Sequence, residues 1–270
     1  MENLQQVAQH AALEASQLIQ NAWQNQNSVK IHEKAPKDLV TDIDRAVEQR
    51  IINIIHSNFP SHSILSEESG LKPGDDFTWI IDPIDGTTNF CHGIPHFAIS
   101  IAIKHQENLV MGVIYDPIRK EMFSAKAGEG AFLNGQRIKV SKKQNLDNAV
   151  IATGFPSKRQ QFFPGFMECL TKVFPELLGI RRGGAATLDL AYIAAGRIDG
   201  YWEFDVKEWD VAAGELIIKE AGGTMCDISG KADYPKHGVI AGTTGICQSL
   251  VQTFASTWLN QLETLFRNYP

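Results

Sequence analysis

Trp79-Ile80-Ile81-Asp82-Pro83-Ile84-Asp85-Gly86-Thr87-Thr88-Asn89-Phe90 runs an apolar strand straight into two carboxylates three residues apart, with two hydroxyls close behind. Asp82 stands at the mouth of the strand, Pro83 restrains the turn, and Asp85 returns a second carboxylate toward the same point. Hard oxygen ligands of this kind suit Mg²⁺, which is held by few carboxylates and completed by water and substrate phosphate. Gly86, Thr87, Thr88 and Asn89 form a turn feeding a helix, whose free amides are placed to receive an anion. The competing reading is a plain surface turn, in which Asp-Pro and Asp-Gly are turn formers and Thr87 or Thr88 is an N-cap.

Outward from this stretch the pattern is layered. On the N-terminal side, Leu4, Val7, Ala8, Ala11, Ala15, Leu18, Ile19 and Ala22 recur at helical spacing over residues 3–23. A polar loop is expected from Asn25 to Asp38. Thr41 then opens a second helix, with Asp44 at the third position in the manner of a capping box. Ser63–Ser66 is a short strand leading to Glu67 and Glu68, and Leu71 to Asp76 is a loop. On the C-terminal side, strands at Phe97–Lys104, Leu109–Tyr115 and Glu121–Ala125 are joined by short turns and predict antiparallel pairing; Asn134-Gly135 is a further tight turn. The second half alternates: strand Ala149–Thr153, helix Arg159–Phe174, strand Gly179–Arg182, helix Ala185–Ala195, strand Ile198–Trp202 and helix Val211–Ala221. Strands Thr224–Asp227 and Val239–Ala241 follow, then a terminal amphipathic helix to about Phe266. The expectation is a layered α/β architecture in one two-lobed unit over residues 1–270, with no linker and no internal repeat.

The bulk properties narrow the function. At 270 residues and 43% hydrophobic content the chain can build a sizeable core without staples. Cys91, Cys169, Cys226 and Cys247 form no CxxC pair, so neither a zinc site nor a disulfide framework is expected. The N-terminus lacks the pattern of a signal peptide and no apolar run reaches membrane-spanning length, so a soluble, cytoplasmic protein is expected. A formal net charge of −6 argues against direct nucleic-acid binding. It is compatible with an anionic substrate only if metal ions supply the positive charge.

Four further acids fall at expected element ends: Asp44, Glu67, Glu203 and Asp210. Each has a plain alternative: a cap for Asp44 and Asp210, solvated charge for Glu67, a surface turn for Glu203. Together with Ser66-Glu67-Glu68-Ser69, the run from Trp79 to Phe90, and Trp209-Asp210-Val211-Ala212-Ala213-Gly214 through Glu220-Ala221-Gly222-Gly223, however, the chain resembles the inositol monophosphatase family. The order and separations agree, and the likeness extends to Leu39–Asp44 and Asp189–Glu203.

The resemblance implies an alternating α-β-α-β-α sandwich of the sugar phosphatase type. It implies a Mg²⁺-dependent, lithium-sensitive homodimer with two or three metals per site that hydrolyses a phosphorylated polyol such as myo-inositol monophosphate. Carried over by residue, Glu67, Asp82 and the Ile84 carbonyl hold a first ion, and Asp82, Asp85 and Asp210 a second. Asp44 acts through metal-bound waters, and Glu67 and Thr87 orient or deprotonate the attacking water. Gly86 and Thr87 hold phosphate. Gly184, Ala185, Ala186, Glu203, Asp85 and Asp210 face the substrate, although Ala185 stands where many members carry a hydroxyl. Fructose 1,6-bisphosphate and 3′-phosphoadenosine 5′-phosphate are alternative substrates on the same scaffold. Contact with the transcription machinery, as in some bacterial relatives, is the non-enzymatic alternative; Arg181-Arg182 and Lys139–Lys143 are basic enough to serve it.

Overall fold

Helix α1 (Glu2–Gln24) buries Leu4, Val7, Ala8, Ala11, Ala15, Ile19 and Ala22 along one side, and its small alanines let it lie close to α2 (Asp42–Asn58). These contacts come from a computed structural model that describes residues 2–26, 29–157, 159–231 and 238–255. At the start of α2, Thr41 Oγ1 accepts from the amides of Ile43 and Asp44, and Asp44 Oδ2 accepts the Thr41 amide at 2.8 Å. The capping box is therefore complete, with Asp in the place usually taken by Glu.

An eight-stranded sheet follows in the order β10-β9-β8-β7-β6-β5-β3-β4. Its strands are β3 (Ser63–Ser66), β4 (Gly70–Lys72), β5 (Phe77–Asp85), β6 (Ala98–His105), β7 (Asn108–Asp116), β8 (Glu121–Lys126), β9 (Gly130–Leu133) and β10 (Gln136–Arg137). All neighbours are antiparallel except β3 and β5. One face carries α1 and α2. The other carries α5 (Ala186–Ala194) and α6 (Glu208–Glu220), which also cover a five-stranded sheet of order β12-β11-β13-β15-β14. That sheet comprises β11 (Val150–Thr153), β12 (Gly179–Arg181), β13 (Gly200–Glu203), β14 (Thr224–Cys226) and β15 (Val239–Gly242). Helices α4 (Phe163–Val173) and α7 (Thr244–Ala255) cover its far side. The five layers alternate α, β, α, β, α, as expected.

A row of registered residues explains how α6 reaches the first sheet. Ile80, Ala102, Gly112, Ala125 and Ala131 pair successively across β5 to β9 and so share a face. Four of the five are alanine or glycine, leaving a shallow bed. A Cβ on Gly112 would stand 2.7 Å from the Ala213 carbonyl oxygen of α6, while Gly214 meets Leu190 of α5 just as closely. Backbone-to-backbone approach at this density leaves no room for a side chain.

Several expectations are corrected. The loop expected at 25–38 contains a hairpin of β1 (Ile31–Ala35) and β2 (Asp38–Thr41). All five β1 residues are exposed, so no buried alternation marks the strand, and Lys37 takes the turn at φ +67°. Leu71 and Lys72, expected at the start of a loop, pair with β3 as part of β4. Glu203 is the last residue of β13, not a turn after it, and α6 begins at Glu208, three residues before the expected Val211. The C-terminal part of the final helix, including Phe266, lies outside the described residues. No helix among the described residues is long and apolar enough to cross a membrane.

Candidate active site

Strand β5 does not end at Asp82. It continues to Asp85 through an irregularity at which Pro83 and Ile84 lie opposite the single residue Ile99 of β6, between the pairs Asp82↔Ser100 and Asp85↔Ala98. In a regular strand, residues three apart point to opposite faces. The extra residue turns Asp85 back onto the face of Asp82, and Pro83, which has no amide to donate, is tolerated at such a bulge. Gly86 then takes φ +90°, where a Cβ would approach the His96 carbonyl oxygen to 3.0 Å, and caps α3 (Thr87–Cys91). The N-cap is thus Gly86, not Thr87 or Thr88. The amides in the first turn of α3 have no carbonyl one turn earlier to bond.

One cavity of about 490 Å³ collects Glu67, Asp82, Ile84, Asp85, Gly86, Thr87, Gly184, Ala185, Ala186, Glu203 and Asp210. Asp44 lies beneath it: Thr87 Oγ1 is 3.1 Å from Asp44 Oδ1 and 2.9 Å from the Ile84 carbonyl, so its one proton serves one of them at a time. Asp85 Oδ2 accepts from the Thr187 amide at 2.7 Å and the Thr187 hydroxyl at 2.6 Å. Asp85 therefore caps α5, whose own N-cap, Ala185, has no side-chain oxygen to offer. The amide of Ala186 bonds to Asp85 as well. Asp210 lies in the first turn of α6 and accepts the Lys207 amide at 2.6 Å; it is not the N-cap.

Asp82 is 2% exposed, and its Oδ1 is buried with no hydrogen-bond partner. Burial, with Glu67, Asp85 and Asp210 close by, pushes its carboxyl well above the usual range. Burial likewise raises Asp85 to about 6, against the hydrogen bonds of Thr187, and Glu203 to about 7, against the bond from Tyr201 and the charge of Arg182. Asp210 is raised by burial and by Asp85. Asp85, Glu203 and Asp210 are half-buried and line the cavity. Among the described residues no three His, Cys, Asp or Glu side chains already converge at metal-ligand spacing; the carboxylates stand apart around the cavity, as repelling charges do. An orphaned buried oxygen among hard oxygen donors nevertheless fits a divalent cation of the Mg²⁺ type.

The sequence profile of the inositol monophosphatase family matches residues 1–259. The chain belongs to the inositol monophosphatase family. It is 42% identical over 260 residues to a Pseudomonas aeruginosa protein described as Nus factor SuhB, covering 94% of this chain and 96% of that one. Among solved structures it is similar to extragenic suppressor protein suhB from Bartonella henselae (TM-score 0.89, 41% identity, covering 92% and 97% of the two chains). It is also similar to the inositol monophosphatase of Anabaena (Nostoc) sp. PCC 7120 (TM-score 0.83, 34% identity, covering 95% and 96%).

Three residues at this cavity were not among the site residues expected from the sequence. Lys34 of the β1–β2 hairpin pairs with Glu67 at 3.2 Å and with Glu68, bringing a cation to the carboxylates. Arg182 and Asp189 line the cavity. Asp189 had a visible signal: it is the one acid within the otherwise apolar stretch Leu188–Ala191, and charged residues are seldom fully buried without a purpose.

The raised carboxyls predict the pH dependence of the metal-free protein. A carboxyl with a higher pKa folded than unfolded holds more protons in the folded state between those two values, so stability falls as pH rises through that window. For Asp85 and Glu203 the window runs from the ordinary carboxylate range to about 6 and about 7. In EDTA the melting temperature is expected to fall by roughly 5 °C between about pH 5 and pH 8, and Mg²⁺ is expected to abolish most of that slope. Differential scanning calorimetry checks this; a metal-free melting temperature that rises over the interval contradicts the burial of these charges.

Proposed function

We propose that the protein is a Mg²⁺-dependent phosphatase of phosphorylated polyols, with myo-inositol 1-phosphate as the leading substrate. The observation that carries the reading is the buried, unpartnered oxygen of Asp82 among the carboxylates at the cavity. Glu67, Asp82 and the Ile84 carbonyl would hold one ion and Asp82, Asp85 and Asp210 another, with Asp44 behind them. Bound there, the ions supply charge neutralisation for the phosphoryl group and an acidified water. Thr87 holds its hydroxyl proton toward Ile84 or Asp44 and so presents its oxygen to the attacking water. Glu67 is placed to take that water's proton, and the first-turn amides of α3 receive phosphate oxygens. Asp82 is buried, and a charge withdrawn from water interacts more strongly with an ion beside it.

At the opposite end Glu203 accepts the Tyr201 hydroxyl and faces the departing alcohol. Glu203→Gln is expected to lower kcat/KM for myo-inositol 1-phosphate about tenfold relative to p-nitrophenyl phosphate. Equal losses on both esters would exclude that role.

Phosphate release from myo-inositol 1-phosphate, fructose 1,6-bisphosphate and 3′-phosphoadenosine 5′-phosphate, each with Mg²⁺ and with EDTA, tests the reading. Mg²⁺-dependent preference for the first supports it, preference for another replaces the substrate, and no release from any refutes it. A homodimer is part of the proposal: Phe163, Met167, Phe174 and Leu178 are exposed apolar residues and β12 is an edge strand, features suited to contact with a second copy. Relatives described as Nus factors favour a second, transcription-accessory role. A folded, metal-impaired variant that retains a cellular transcription phenotype separates that role from catalysis.

A further inference from the structure

Asp189 takes no part in the metal and phosphate contacts, yet it is built into the cavity wall. It is 4% exposed, stands on α5 between the fully buried Leu188 and Leu190, and lines the cavity. Its surroundings act on it through charge alone: burial, Glu203 and Asp85 raise its pKa, and Arg182 opposes them. Among the described residues no hydrogen bond to its carboxylate offsets the burial of this residue, and a polar group so placed calls for a partner from the cavity.

Across Gly183 from it lies a buried ring nitrogen. His96 Nε2 is buried without a hydrogen-bond partner. Between the two stands Gly183, where a Cβ would be 2.9 Å from Asp189 Oδ1 and 2.6 Å from His96 Nε2. The gap is held open by construction: Asn89 Nδ2 donates to the Gly183 carbonyl at 2.9 Å and to the His96 carbonyl at 2.7 Å, clamping both segments. The neighbouring Ala185 offers no hydroxyl, so this wall of the polyol end has no side-chain polar group from residues 183–186.

We propose that Asp189 is a specificity residue that binds a hydroxyl of the phosphorylated polyol, and that the missing side chain at Gly183 keeps the space beside its carboxylate open. The proposal rests on the phosphatase reading. The Asp189 carboxylate accepts the substrate hydroxyl in place of water. Glu203 and Asp189 then grip the alcohol half from two elements, β13 and α5, and Arg182 offsets part of their mutual repulsion.

The test compares KM and kcat for myo-inositol 1-phosphate and for p-nitrophenyl phosphate, which has no alcohol hydroxyls, all with Mg²⁺. Asp189→Ala is expected to raise KM for the polyol ester about thirtyfold relative to the aryl ester, with kcat little moved, and Asp189→Asn, which keeps an acceptor oxygen, is expected to recover most of it. Gly183→Ala, whose Cβ would stand 2.9 Å from Asp189 Oδ1, is expected to shift the same ratio about tenfold. Melting curves establish that each variant is folded. Equal KM changes on both esters, or an unchanged ratio in Asp189→Ala, overturn the proposal. A wild-type protein that releases phosphate from neither ester overturns the phosphatase reading itself, and the proposal with it.

Discussion

Asp82→Asn protein is expected to lose turnover by about 10³-fold, equivalent to about 4 kcal/mol of transition-state stabilisation, while remaining folded. The shape of the side chain is kept, so no cavity forms, and only the buried charge goes. That charge is costly to the metal-free protein, because the Asp82 oxygen has no partner and Glu67, Asp85 and Asp210 repel it. The same variant is therefore expected to melt higher than wild type in EDTA at pH 8, by roughly 5 °C, and to gain less from added Mg²⁺. Opposite changes in activity and metal-free stability distinguish a ligand from a structural aspartate. Near-wild-type turnover, or a melting temperature that falls in EDTA, would refute the assignment.

Gly112→Val is expected to destabilise the protein by about 3 kcal/mol and to lower its melting temperature by about 10 °C, though residue 112 touches no substrate. A Cβ there meets the backbone of Ala213, not a flexible side chain, so relief requires lifting α6 off the sheet. Because α6 carries Asp210 in its first turn, the shift moves one wall of the site. The Mg²⁺ concentration for half-maximal phosphate release should rise with it. Calorimetry and a Mg²⁺ titration check both effects; a wild-type melting temperature would mean that α6 does not rest on this bed.

Much of the architecture was legible because long periodic segments carry their own signal. The apolar stripe of α1, the Thr41–Asp44 capping box and the antiparallel β6–β7–β8 run stand where the pattern put them, and the order of strands and helices after residue 149 is as expected although several of their ends are shifted. The β1–β2 hairpin was missed because a strand with no buried face leaves no alternation to detect. The start of α6 was misplaced because its first turn, Glu208–Asp210, is partly open to solvent and lies ahead of the apolar run.

By itself the sequence determined the layered class, the family and which carboxylates were candidates, since these depend on periodicity and on residue types in order. Tertiary structure decided the rest. Spacing alone would set Asp82 and Asp85 on opposite faces of a strand, and only the bulge against Ile99 returns them to one side. Likewise, Asp85 capping α5, Asp210 held beside it by α6, and Asp189 facing Glu203 join residues far apart in the chain. Such convergence depends on how helices settle between two sheets, on contacts as specific as Gly112 against Ala213, and local sequence carries no record of it.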